Sequence, residues 1–293
     1  MDGQPHYEID EATGVSTTGH AFDGIKELNN PLPRWWLWLF YATIVWAIGY
    51  WVVYPAWPLV SGYTRGALGW QSRTAVVGDL EALKALRGPM TAKLQATDIA
   101  AVEKDPELLG FTRALGKTIF ADNCAPCHGA GGGGAKGYPN LNDDDWLWGG
   151  KLPDIVTTLT HGVHWAPDSE TRVGGMPAFG KLGALDSGAM SNVADYVRSL
   201  AGLPVDEKAD LAAGAKVFAD TCASCHGKDA KGKRDVGSPN LTDAIWLYGS
   251  DKKTIVEGLT YGRAGGMPAW VGRLDPTTLK ALAVYVHSLG GGE

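Results

Sequence analysis

Apolar and polar positions divide the chain into three regimes. About thirty polar, net acidic residues come first. An unbroken apolar run from Trp35 to Tyr54, WWLWLFYATIVWAIGYWVVY, follows without one charged residue. At about 1.5 Å per residue a helix of that length spans a hydrocarbon core of about 30 Å, so the run predicts a transmembrane helix. Pro31 and Pro33 before it and Pro55 and Pro58 after it mark its ends. Trp35, Trp36, Tyr54 and Trp57 stand where interfacial aromatic belts form. The preceding stretch lacks the basic start and small-residue cleavage site of a signal peptide, so the helix is read as a retained anchor. It carries no Asp, Glu, His, Lys or Arg and therefore offers no proton relay inside the membrane. Lys26 and Arg34 on one side balance Arg65 and Arg73 on the other, so charge alone does not orient it.

Beyond the anchor, Leu80, Leu83, Leu86, Ile99 and Val102 recur at helical spacing, with Gly88-Pro89 and Asp105-Pro106 as breaks. This predicts a linker of short helices. From Pro106 onward the pattern duplicates itself. The first copy runs through Gly116, Phe120, Cys124, Cys127, His128, Pro139-Asn140-Leu141, Trp146 and Gly175-Met176-Pro177-Ala178 to a closing helix with Tyr196. The second runs through Gly214, Phe218, Cys222, Cys225, His226, Pro239-Asn240-Leu241, Trp246 and Gly266-Met267-Pro268-Ala269 to a closing helix with Tyr285. The predicted organisation is an N-terminal segment 1–33, an anchor 34–57, a linker 58–105, a first repeat 106–203 and a second repeat 204–293.

Composition adds two constraints. A formal charge of −6 with no basic stripe excludes nucleic acid as a partner. All four cysteines fall in two identical patterns, Cys124-Ala125-Pro126-Cys127-His128 and Cys222-Ala223-Ser224-Cys225-His226, so none is left for a structural disulfide. Two thiols two residues apart with His next fit covalent haem c: the thiols add across the vinyl groups and the adjacent imidazole reaches the iron. A thioredoxin-like pair or half a zinc site does not explain a His directly after both pairs. Two haem c groups are thus expected, on Cys124 and Cys127 and on Cys222 and Cys225, with His128 and His226 as proximal iron ligands.

Met176 and Met267, each in a Gly-Gly-Met-Pro-Ala segment, are the candidate sixth ligands. A soft thioether favours ferrous iron and raises the reduction potential. The first copy inserts Val163 to Val173 where the second has only Arg263 and Ala264, which makes His161 and His164 rivals of Met176. Arg172 and Arg263, near the Met loops, are either partners for haem propionates or exposed cations. Trp146 and Trp246 either wall a haem pocket or pack in the core. The run Gly129 to Gly134 with Lys136 lacks the order of a phosphate loop. Asp143, Asp144 and Asp145 form the densest acidic cluster, a steering surface for a basic cytochrome or a solvated loop.

The Gly/Phe first helices and Tyr-bearing last helices resemble the class I cytochrome c fold. That resemblance implies an all-α chain, one N-terminal transmembrane helix followed by two tandem class I cytochrome c domains, free of strands in both copies. It implies that first and last helices cross at the glycine beside an aromatic pair. It also implies that the carbonyls of Pro139 and Pro239 accept the second ring N–H of each proximal His, and that the haem domains are periplasmic.

The segment Gly19-His20-Ala21-Phe22-Asp23-Gly24-Ile25-Lys26-Glu27-Leu28-Asn29-Asn30-Pro31-Leu32-Pro33-Arg34-Trp35-Trp36, leading into one anchor and two haem motifs, is similar to the dihaem subunit family of cbb3-type cytochrome c oxidases. Membership implies an electron-transfer subunit without a catalytic site of its own, in a bacterial inner membrane with its N-terminus cytoplasmic. Electrons would arrive from a donor cytochrome c, with the cytochrome bc1 complex a candidate neighbour. They would leave through a monohaem subunit to the haem-copper subunit that reduces oxygen. His20 and Asn29-Asn30 would shape the cytoplasmic interface. Two other classes share some of these features: a dihaem carrier of another respiratory or photosynthetic chain, and a dihaem peroxidase. The peroxidase needs an iron with an open sixth position, whereas both copies offer Met.

Overall fold

The computed structural model describes residues 7–292; the first six residues of the N-terminal segment and Glu293 of the second repeat lie outside the described residues. The chain divides into two compact units, 1–86 and 87–293.

In the first unit, β1 (Thr17–Phe22) and β2 (Ile25–Leu28) pair antiparallel, Phe22 opposite Ile25. The turn is Asp23-Gly24, both at positive φ (50° and 84°), the backbone a two-residue hairpin requires. His20, Asn29 and Asn30 are exposed on or beside this hairpin. Helix α1 (Arg34–Val53) follows, with mean hydropathy 1.6 and none of that stretch buried. Among the described residues it is the one helix long and apolar enough to cross a membrane. Aromatic rings gather at its exit: Trp51 meets Trp57 edge-on at 4.8 Å, and Tyr54 meets Trp70 at 6.0 Å. A second small hairpin joins β3 (Pro58–Leu59) to β4 (Gly62–Tyr63). Among the described residues the chain is therefore mostly helical, and both two-stranded sheets precede the repeats.

Helix α2 (Ser72–Ala96) corrects the expectation of a break at Gly88-Pro89, because Pro89 lies inside it. A proline removes one backbone hydrogen bond at a cost of about 3 kcal/mol, and the turn beyond it is held by Leu94, which is fully buried. The second unit continues with α3 (Ile99–Val102), α4 (Pro106–Asn123), α5 (Ala125–His128), α6 (Leu152–His161) and α7 (Ser187–Leu200). Then come α8 (Leu211–Val217), a wide π turn over Phe218–Cys222, α9 (Ala223–His226), α10 (Lys252–Tyr261) and α11 (Pro276–His287). Helix starts follow the aspartates: Asp98, Asp105, Asp186, Asp210, Asp251 and Asp275 each accept a hydrogen bond from an N–H two or three residues on.

The repeats exchange their closing helices. A Cβ placed on Gly116 of α4 would lie 2.5 Å from the carbonyl oxygen of Ala281 and from the Cβ of Tyr285, both on α11. Phe120 packs on the same Tyr285, ring centroids 5.4 Å apart. On α8, a Cβ on Gly214 would collide with the Asn192 carbonyl and Tyr196 of α7, and Tyr196 meets Phe218 at 5.6 Å. The glycine crossing with its aromatic pair thus occurs between repeats rather than within them. One core joins Phe120, Cys124, Ile155 and Leu159 to Leu282, Tyr285 and Val286; the other joins Phe218 and Leu259 to Met190, Val193 and Val197. The boundary near residue 203 separates two repeats along the chain but not two separately packed bodies.

Candidate functional site

Each site begins at the end of a first helix. Cys124 caps α4, and one tight turn later the N–H groups of Cys127 and His128 bond its carbonyl at 3.1 and 2.9 Å. The chain then loops back, Gly134 N–H to His128 carbonyl at 2.7 Å, and brings Pro139 under the imidazole. His128 Nδ1 lies 3.0 Å from the Pro139 carbonyl oxygen. The second repeat repeats this with Gly232 on His226 at 2.8 Å and His226 Nδ1 at 3.1 Å from the Pro239 oxygen. A ring that donates from Nδ1 keeps its lone pair on Nε2, the state a metal ligand needs. Burial presses the His226 pKa below its ordinary value, partly opposed by the Pro239 carbonyl, so this imidazole stays neutral.

None of the four cysteines is paired in a disulfide. Burial first, and the paired thiol second, push Cys124 and Cys222 up to about 11. They remain protonated at neutral pH, unlike the reactive thiolate of a thioredoxin-like pair.

The methionine loops cross between the repeats. Val163, after α6, exchanges two backbone hydrogen bonds of 2.9 Å with Met267; Arg263, after α10, exchanges bonds of 2.8 and 2.9 Å with Met176. Gly162 and Gly262 make this approach possible: both have positive φ (69° and 78°), and any Cβ would strike the opposing Met loop. Met267 consequently packs on the cluster that contains Cys124, and Met176 on the cluster around Cys222. The order of motifs along the chain groups Met176 with His128; the fold sets it beside the half that carries His226. Both sets line one cavity of about 620 Å³. The signal for this crossing is the short link 201–210 between α7 and α8, since consecutive helices joined by a short loop usually pack on each other.

The inserted segment closes on itself, His164 N–H to Arg172 carbonyl at 2.9 Å. His161 faces Asp168 at 3.1 Å and Glu170 at 3.3 Å, and both ring nitrogens of His164 are engaged by backbone groups. Neither ring has a nitrogen to spare for iron. Arg172 lies over Trp148 at 5.4 Å and Arg263 over Tyr248 at 4.4 Å. Trp148 and Tyr248 occupy matching positions, line the cavity, and were not singled out by sequence reasoning. Trp146 and Trp246 also line the cavity; their indoles donate to the Gly291 and Asp243 carbonyls. Of the acidic cluster, Asp144 and Asp145 share a polar pocket with Lys231, Lys233, Arg234 and Asp243. Burial, then Asp243 and Asp143, push Asp145 up to about 6, against the pull of Arg234. That part of the cluster faces cations of the other repeat rather than only solvent.

Two thiols, an imidazole with a free Nε2 and a thioether, walled by aromatic and aliphatic side chains, make a donor set that fits covalent haem c in each half. Three family models match the chain: the N-terminal domain of cytochrome oxidase-cbb3, FixP, over residues 14–61; cytochrome c over 113–201; and cytochrome c oxidase, cbb3-type, subunit III over 209–286. The chain is 61% identical over 288 residues to the cbb3-type cytochrome c oxidase subunit FixP of Azorhizobium caulinodans, covering 98% of this chain and 97% of that one. It is 58% identical to the FixP subunit of Bradyrhizobium diazoefficiens over 98% and 99% of the two chains. Identity to the CcoP subunit of Cereibacter sphaeroides is 52%, over 94% and 95%.

Proposed function

The chain belongs to the FixP/CcoP family of cbb3-type cytochrome c oxidase subunits, and from that premise we propose how its residues serve such a complex. It is a membrane-anchored electron-transfer subunit with covalently bound haem c and no catalytic site of its own. On our reading it holds two haem c groups. Cys124 and Cys127 attach one, with His128 and Met267 as axial ligands; Cys222 and Cys225 attach the other, with His226 and Met176. The observation that carries this pairing is that Met267 packs against the cluster containing Cys124, while Met176 and Cys222 pack against the other cluster. Bound haem supplies a one-electron couple whose potential a thioether ligand raises.

The protein's own contribution is positional. Pro139 and Pro239 fix the ring orientation and tautomer of the two histidines. The Gly-Gly-Met-Pro loops bring sulfur to the cavity, aromatic side chains wall it, and Arg263, which lines it, is the cation set to meet a haem propionate, whereas Arg172 is held by Thr158 and the Asp154 carbonyl. We place residues 106–203 and 204–293 on the periplasmic side of a bacterial inner membrane, with residues 1–33 cytoplasmic. Electrons then enter from a donor cytochrome c, with the cytochrome bc1 complex a candidate neighbour. They pass to a monohaem subunit and on to the haem-copper subunit.

Purification in mild detergent tests this reading. We expect a haem-copper catalytic subunit and a monohaem cytochrome to co-purify, with two covalent haems per copy of this chain by haem assay. A haem-loaded chain isolated with neither subunit would instead make it a stand-alone carrier of another electron-transfer chain.

A further inference from the structure

His164 sits in the segment that only the first repeat possesses, and its backbone is unusual. Its φ is +49°, and among the described residues only Asp23 and Ala230 are other non-glycine residues at positive φ. A bulky side chain in that region persists only where its surroundings hold it. Here the imidazole itself is the hold. Its Nδ1 lies 2.6 Å from the carbonyl oxygen of Gly265, and its Nε2 accepts the N–H of Gly174 at 3.1 Å. A carbonyl on one side and an N–H on the other require the neutral ring with its proton on Nδ1.

The two partners belong to different repeats. Gly174 lies two residues before Met176, and Gly265 two residues before Met267. Each methionine is preceded by two glycines, the residues that restrict the backbone least. The backbone pairs Val163 with Met267 and Arg263 with Met176 hold each loop separately. His164 ties both loops to one ring. At the matching place the second repeat has Ala264, whose methyl group makes no hydrogen bond.

We propose that His164 is a positioning residue shared by the two haem sites: one imidazole, hydrogen-bonded to Gly174 and Gly265, sets how closely Met176 and Met267 approach their irons. This rests on the methionine assignment above. Its mark is that one substitution disturbs both sites together.

The test uses the full-length, haem-loaded chain in detergent. His164→Gly keeps the left-handed backbone and removes both hydrogen bonds, whereas His164→Asn also tolerates that backbone and restores a donor and an acceptor. In His164→Gly both haem potentials should fall, and the fraction of each reduced haem that binds carbon monoxide should rise about five- to tenfold, the factor one ordinary hydrogen bond provides. His164→Asn should recover part of both effects. Unchanged potentials and carbon monoxide binding, or a change at one haem only, overturn the proposal. Should His164→Gly not accumulate with haem, hydrogen exchange of the Gly174 amide in the unaltered chain decides: protection of tenfold or more supports the bond, and exchange at the rate of a free loop overturns it. Met176→Ala and Met267→Ala separate the two layers. If both methionine-to-iron charge-transfer bands survive those changes, the ligand assignment falls and the proposal with it; if each removes one band while His164→Gly is silent, the proposal alone falls.

Discussion

At one glycine crossing Leu152 and Val284 belong to a buried apolar cluster with Leu94, Val102, Leu108 and Ala281. At the other, the matching positions are Lys252 and Asp195, whose Nζ and Oδ2 meet at 2.6 Å, with Asp195 only 1% exposed. The same helix pair is thus finished in one half by hydrocarbon, under the end of α2 and α3, and in the other by an ion pair. The difference explains why the closing helices are exchanged. Were each closing helix to pack on its own repeat, Asp195 would face Leu152 and Val284 would face Lys252. A buried carboxylate without its partner costs several kcal/mol, so the unexchanged arrangement is selected against by charge although its glycine and aromatic contacts would fit equally well.

The largest expected effect breaks the comparison at the iron. In a chain whose second haem is removed by Cys222→Ala and Cys225→Ala, Met267→Ala should abolish the remaining methionine-to-iron charge-transfer band, while Met176→Ala should leave it. The opposite result in the visible spectrum would return each methionine to its own repeat.

Smaller in size, the ion pair can be tested by stability. Asp195→Ala should cost about 3 kcal/mol in chemical denaturation, the low end for breaking a buried pair because Lys252 is itself 35% exposed. Asp195→Val combined with Lys252→Leu should recover most of that loss, since it recreates the Leu152–Val284 contact. A double variant as unstable as the single one would remove the charge argument for the exchange.

The smallest effect concerns Asp145, where the second repeat has Ile245. Its pKa is raised from 3.8 to about 6, chiefly by burial. A raised pKa means that its contribution to stability is complete below the unfolded value and is lost as pH rises through the folded one. Asp145→Asn should therefore stabilise the chain by about 1 kcal/mol above pH 7, after allowance for solvent screening, with the gain vanishing below about pH 4. Thermal melts at the two pH values check this, and a gain independent of pH would show that folding does not change the Asp145 pKa.

How much of this was legible in the sequence follows from the range of each interaction. The cysteine and histidine spacings, the Met-Pro loops, the Gly/Phe helix faces and the anchor are local, so the chain displays them directly. The hairpin at Asp23-Gly24 is hard to see in the sequence because its strands are short and mostly polar. Pro89 misled because a local helix breaker is overridden where the next turn is buried, as Leu94 is. The acidic cluster reads as a surface feature until the cations of the other repeat are set beside it.

By itself the sequence displayed two Cys-x-x-Cys-His motifs, a Met-Pro loop after each, the Gly/Phe faces of the first helices and the apolar anchor run. It did not say which closing helix covers which first helix, because α7 and α11 bring the same tyrosine to the same kind of groove. Tertiary structure decided that. The choice depends on partners far apart along the chain, Asp195 with Lys252 and Val284 with Leu152, and with it came the crossing of the methionine loops and the place of His164 between them.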